Sequence, residues 1–92
     1  MPRGVNQLHS HNSMNVVGPQ VKRQRESLEW SQDVLCARIA LTTNGVWNPS
    51  FRDISRIEQG TRKVSDRELL ALSDALTCDP LFLLQYKSDP AS

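Results

Sequence analysis

The sequence predicts an all-α protein of five short helices. Helix start and stop signals recur at regular intervals, and the apolar residues between them follow a helical period. The 92 residues suffice for one domain with a small core, since 38% are hydrophobic and 23% are charged. We expect this domain at residues 18–87, between a flexible N-terminal arm at 1–17, which shows no apolar period, and a tail at 88–92.

Each predicted helix begins at a proline or a capping residue, and two of the starts have the spacing of capping boxes. The five starts are Gly18-Pro19, Ser31, Ser50 with Asp53, Ser65 with Glu68, and Asp79-Pro80. Glycines at positions 45 and 60 are available to end the second and third helices. The apolar residues that follow the starts are Val21 and Leu28; Val34, Leu35 and Ile39; Ile54 and Ile57; Leu69, Leu72 and Leu76; and the run Leu81–Leu84.

The third helix separates apolar from basic side chains. At about 100° per residue, Ile54 and Ile57 form a stripe that should face the core, while Arg52, Arg56 and Gln59 lie opposite. Arginine can pair with guanine and glutamine with adenine in the major groove of DNA. The pattern therefore favours insertion into DNA, although a merely solvated polar face is the alternative.

Glu58 falls beside the isoleucine stripe on the same wheel, so its carboxylate should point inward. A buried carboxylate needs a paired and hydrogen-bonded cation. Arg25 lies on the inward face of the first helix, four residues after Val21 and three before Leu28. We therefore predict an ion pair between Arg25 and Glu58 that ties the first helix to the third.

These residues give the chain a resemblance to the Cro- and phage-repressor-like helix-turn-helix domains, the XRE family of bacterial transcriptional regulators. The matching strings are Val21-Lys22-Arg23-Gln24-Arg25, Ser31-Gln32-x-x-Leu35, Ile54-Ser55-Arg56-Ile57-Glu58-Gln59-Gly60-x-Arg62, Ser65-Asp66-x-Glu68-Leu69, Leu72, Ala75-Leu76 and Asp79-Pro80-Leu81. The resemblance covers about residues 18–85 and implies a five-helix domain whose second and third helices form the helix-turn-helix. It also implies that the third helix reads the major groove and that a buried Arg–Glu pair recurs.

The resemblance and the charge pattern together predict a DNA-binding site. Residues expected to position the DNA backbone are Lys22, Arg23, Gln32, Thr61, Arg62 and Lys63. Residues expected along the base-facing side of the third helix, at positions 50–59, are Ser50, Phe51, Arg52, Ser55, Arg56 and Gln59.

The chain departs from the family in the segment Leu41–Pro49, which lengthens the turn between the second and third helices into a loop. We expect Trp47 to plug this loop rather than to stack on a base. Phe51 replaces a small or polar residue, and we expect it to pack inward rather than to touch a thymine methyl. Asp53 should cap the third helix, and Cys36 should be an inert small residue against it.

No catalytic arrangement can be assembled from the sequence, because both histidines, His9 and His11, lie in the predicted arm. Cys36 and Cys78 form no CxxC pair. We therefore expect neither an enzyme nor a metal or cofactor. The longest apolar run has four residues where a membrane span needs about 20, and a secretory signal is absent, so we expect a cytoplasmic, nucleoid-associated protein without a membrane partner.

The predicted function is a sequence-specific DNA-binding transcriptional regulator, a repressor or autoregulator, acting on double-stranded DNA as a homodimer. Leu81–Leu84 and Tyr86 would supply the dimer contact or close the core. Two alternatives are open. The chain could be an antitoxin whose arm binds a protein partner. It could also be a helical interaction module without DNA binding, which the net charge of +1 supports.

Overall fold

A computed structural model describes residues 13–84, and within this range the chain forms α-helices and no strand. The helices are α1 (Gly18–Ser27), α2 (Gln32–Thr42), α3 (Phe51–Gln59), α4 (Asp66–Leu76) and α5 (Pro80–Leu83). The prediction of an all-α chain with five helices is thus confirmed for this part of the chain. His9, His11, Tyr86 and the predicted tail at 88–92 lie outside the described residues.

The helix starts are set by local capping. The Ser31 hydroxyl accepts the backbone N–H of residue 34, and two complete capping boxes, Ser50 with Asp53 and Ser65 with Glu68, open α3 and α4. Each box satisfies amide groups that the first turn of a helix leaves unpaired. Because these signals act over three residues, the sequence was sufficient to predict them.

The backbone becomes left-handed just after α2 and at the end of α3. Gly60 ends α3 at φ 81°, and the segment after α2 passes through Asn44 and Gly45 at φ 54° and 79°. Glycine tolerates this conformation because it has no Cβ. Both glycines predicted to end a helix therefore lie where the backbone turns left-handed.

The core lies between all five helices, and α2 on α4 and α1 on α3 are the largest helix contacts. Its fully buried residues are Val17, Val21, Leu35, Ile39, Ile54, Ile57, Leu72, Ala75, Leu76 and Leu83. Val34, grouped with the apolar face of α2, is exposed. It lies about 100° from Leu35 around the helix axis, so a face that buries Leu35 and Ile39 leaves it outside.

Two residues that precede the predicted domain start at residue 18 already pack against the helices. Val17 belongs to the core, and the Asn15 side chain donates hydrogen bonds to the carbonyls of Ile57 (3.1 Å) and Arg62 (2.8 Å). Its own oxygen accepts the Gly18 N–H at 2.8 Å. A short segment that packs in this way has no helical or alternating period, and the sequence analysis therefore missed it.

None of the helices within residues 13–84 is long and apolar enough to cross a membrane.

Candidate nucleic-acid interface

Helix α3 has one buried and one open side. Ile54 and Ile57 are completely buried, whereas Arg52, Arg56 and Gln59 are exposed. This is the separation that the helical wheel predicted. The two arginines are thus presented on the outer surface of a helix whose other side is fixed in the core.

The predicted ion pair between Arg25 and Glu58 is present. The guanidinium donates through Nε to Glu58 Oε2 at 2.7 Å and through Nη2 to Oε1 at 3.1 Å. Its third nitrogen, Nη1, donates to the Trp30 carbonyl at 2.7 Å. The two side chains are only 10% and 4% exposed. This pairing raises the pKa of Arg25 above its usual value, and it joins α1, the turn that follows α1, and the last turn of α3.

Gln32 takes part in the same network, which sequence reasoning missed. Its Nε2 donates to Glu58 Oε1 at 3.1 Å. The side chain predicted to bind a phosphate is therefore directed toward the buried carboxylate in this structure. The signal available in the sequence was weak, because a neutral glutamine side chain does not require a buried charged partner as an arginine does.

A polar cleft of about 210 Å³ lies where α1, the start of α2 and α3 meet. It brings together several residues predicted to contact DNA, and it is lined by Lys22, Arg25, Gln32, Ser55, Glu58 and Gln59. Gln59 donates to the Ser55 hydroxyl at 3.0 Å, so these two side chains hold each other along α3. Arg23, like Lys22, is exposed on α1.

Trp47 plugs the long loop, as predicted. It is partly buried against the core, and its backbone N–H donates to the Thr43 hydroxyl at 3.1 Å. Cys36 also packs against the core, and burial raises the pKa of its thiol. A protonated thiol is a poor nucleophile, in keeping with the inert role expected for this cysteine.

The expectation that Phe51 packs inward is wrong. Phe51 is 52% exposed, and the Arg52 guanidinium lies 6.0 Å from the centroid of its ring. Phe51 is the first residue of α3, so it lies at the rim of the helix contact and not beneath it. The ring therefore lies beside the exposed Arg52 and is itself accessible.

Asp53 has the capping role predicted for it. Its carboxylate accepts the Ser50 N–H at 2.9 Å, and this hydrogen bond lowers the pKa of Asp53. Arg62 and Arg56 lower it further through their charges. The negative charge near the candidate interface therefore belongs to the capping box that opens α3.

Arg62, predicted to hold the DNA backbone, is engaged inside the domain. Its guanidinium pairs with both carboxylate oxygens of Glu68, at 2.9 and 3.1 Å. The Thr61 N–H, another predicted backbone contact, donates to the Arg56 carbonyl at 2.9 Å. Lys63 is exposed. Among the predicted contacts in this loop, Lys63 is the cation whose side chain is presented outward.

Among the side chains of residues 13–84, no cluster of three His, Cys, Asp or Glu residues is placed to hold a metal ion. Comparison with family models, with curated proteins and with solved structures found no match for this chain. The arrangement of its own residues is therefore what points to a function.

Proposed function

We propose that this chain is a sequence-specific DNA-binding transcriptional regulator that inserts α3 into the major groove. In this proposal α2 and α3 form a helix-turn-helix with a lengthened loop, as in the repressor-like domains that the sequence resembles. The observation that carries the proposal is the division of α3 into a buried side, with Ile54 and Ile57, and an exposed side, with Arg52 and Arg56.

The dimensions of α3 suit this role. An α-helix with its side chains is about 10–12 Å across, so a major groove about 12 Å wide admits one. The nine residues of α3 make about 2.5 turns that can lie along the groove. Phe51 adds an apolar group near the start of the helix, where it could contact a thymine methyl. The helix is also anchored, because Glu58 joins its last turn to α1 and α2.

Cations flank α3 on two other elements. Lys22 and Arg23 are exposed on α1, and Lys63 is exposed on the loop after α3. Contacts from such residues to phosphates fix the register of a protein on the duplex, while contacts to base edges specify the sequence. We assign the first task to these three residues and the second to Arg52 and Arg56. A homodimer acting as repressor or autoregulator completes the proposal.

Salt titration of binding to a labelled random-sequence duplex tests this function. We expect the protein to bind at low salt. The logarithm of its binding constant should fall linearly with the logarithm of the salt concentration, because contacts to phosphates release counterions. Lys63→Ala should reduce the slope by about one, whereas Glu26→Ala, at an exposed acidic residue of α1, should not reduce it. A protein that binds no duplex even at low salt would be an interaction module instead.

A further inference from the structure

The side chain of Arg62 contacts three other residues, although it lies in a surface loop. Besides the two bonds to Glu68, Nη1 donates to the Lys63 carbonyl at 2.9 Å. The guanidinium also lies 5.7 Å from the centroid of the Trp47 ring. The Arg62 and Glu68 side chains are only 27% and 23% exposed. A planar guanidinium suits this combination of a two-bonded carboxylate and an aromatic face, and an ammonium does not.

These contacts join the segments at both ends of α3. Trp47 lies in the loop before the helix, Arg62 lies just after it, and Glu68 lies in the first turn of α4. The Arg62 backbone is held as well, since its carbonyl accepts the Asn15 side-chain amide at 2.8 Å. The same amide donates to the Ile57 carbonyl in α3. The chain entering α3 and the chain leaving it are therefore linked through one residue.

The charge of Arg62 is already matched. Glu68 neutralises it at hydrogen-bond distance, and Asp53 adds a further negative charge near it. A phosphate would have to compete with this carboxylate for the same donors. Lys63 differs, because it is exposed and forms no ion pair within residues 13–84. Adjacent cations of equal charge thus have different environments.

We propose that Arg62 is a positioning residue for DNA recognition: it braces the two segments that flank α3 and so fixes the orientation in which Arg52 and Arg56 meet the bases. This inference rests on the proposed function. It assigns Arg62 to sequence preference, and it removes Arg62 from the phosphate contacts.

Four variants test the brace, each measured on a random-sequence duplex and on a duplex selected with the wild-type protein. Lys63→Met is the matched control, since it removes the same charge one residue away. We expect it to lower the salt slope by about one and to weaken both duplexes alike. Arg62→Met should leave the slope unchanged. It should reduce the affinity ratio between the selected and random duplexes by about tenfold, comparable to losing one base contact.

Two conservative variants test whether Arg62 acts through its contacts with Glu68 and Trp47 or only through its positive charge. Arg62→Lys keeps the charge but loses the paired bonds and the stacking, so we expect it to lose preference as Arg62→Met does. Glu68→Gln keeps an oxygen for the Ser65 N–H, which Glu68 Oε1 accepts at 3.1 Å, and this protects the start of α4. If Arg62 is a brace, Glu68→Gln lowers the preference for the selected duplex. If Arg62 binds phosphate, freeing it strengthens binding to both duplexes.

All variants are compared below their melting temperatures, with folding checked by circular dichroism. The inference is overturned if Arg62→Met lowers the salt slope as Lys63→Met does, if Arg62→Lys binds like the wild type, or if Glu68→Gln tightens binding to both duplexes. Wild-type protein that binds no random-sequence duplex, and so selects none, overturns the proposed function itself, and the inference with it. The two failures are therefore distinguishable.

Discussion

Among individual residues, Glu58 has a buried carboxylate that needs hydrogen-bond partners from two other helices. Its side chain is 4% exposed, and it accepts hydrogen bonds from Arg25 Nε, Arg25 Nη2 and Gln32 Nε2. A buried charge is tolerated because such partners replace the water it has lost. The network therefore fixes how α1, α2 and α3 meet, and with it the position of the exposed arginines.

Removing one partner of this pair should strongly destabilise the domain. We expect Arg25→Met and Glu58→Leu each to lower the free energy of unfolding by about 3–5 kcal/mol, because each leaves a buried charge unpaired. The double variant should recover much of the loss, since apolar groups of similar volume can replace a buried pair. Urea unfolding of the four proteins gives the coupling energy. Additive losses below about 1 kcal/mol would mean that the pair behaves as an exposed one.

Gly18 is required by the close approach of α1 to α3. A Cβ on this residue would lie 2.9 Å from the Glu58 carbonyl oxygen and still closer to that of Ile57. At an open helical position, Gly→Ala stabilises by about 0.5–1 kcal/mol. Here we expect Gly18→Ala to destabilise by about 1–3 kcal/mol, because backbone atoms must move apart. Thermal and urea melts measure the sign, and a variant as stable as the wild type would contradict the close packing.

Some of these residue roles could be predicted from the sequence and others could not. The partnership of Arg25 and Glu58 follows from helical periodicity and the need to pair a buried charge. Gln32 and Asn15 could not be assigned in this way, because their amide side chains are uncharged and so do not call for one particular partner. Phe51 was misjudged because a wheel gives the direction of a side chain but not whether neighbouring helices extend over it.

At the scale of elements, carboxylates in the two capping boxes give α3 and α4 a common sensitivity to acid. Hydrogen bonding from the Ser50 N–H lowers the pKa of Asp53, and the Arg62 guanidinium lowers the pKa of Glu68. A carboxyl group whose pKa is lower in the folded state stabilises folding above its unfolded pKa. That contribution is lost as the pH falls through the folded pKa.

We therefore expect the free energy of unfolding to be steady between about pH 5 and pH 7 and to decline below about pH 5. Asp53→Asn and Glu68→Gln should each be less stable than the wild type at neutral pH and should lose less stability on acidification. Urea unfolding at neutral pH and at about pH 3.5 measures both effects. If the free energy of unfolding of the variants fell with acidification as much as that of the wild type, the stabilising role of the two carboxylates would be contradicted.

Helices were easier to predict than the segments between them. Caps, glycines and apolar periods act within a few residues, and all five helices begin at the residues that these signals indicate. The long loop before α3 and the segment at 13–17 depend instead on distant partners. Trp47 could be assigned to the loop interior from its apolar character. Its contact with Arg62 could not be predicted, because Trp47 precedes α3 in the sequence and Arg62 follows it.

For the molecule as a whole, a net charge of +1 says little about DNA, and the placement of charge matters more. Arg52 and Arg56 share the exposed side of α3, with Lys63 on the following loop and Lys22 at the neighbouring cleft. The core, the ion pair and the Arg62 brace all stabilise elements that carry these residues. The central claim is that this surface recognises a DNA sequence.

Selection from a pool of random duplexes, followed by sequencing of the bound fraction, tests that claim most directly. We expect the wild type to enrich one motif, arranged as half-sites about one helical turn apart if it binds as a homodimer. Arg52→Ala and Arg56→Ala should each lose preference at one or two positions, worth about 1–3 kcal/mol per base contact. Lys63→Ala should keep the full motif with weaker binding. Selection of no motif, or of the same motif by both arginine variants, would contradict recognition through α3.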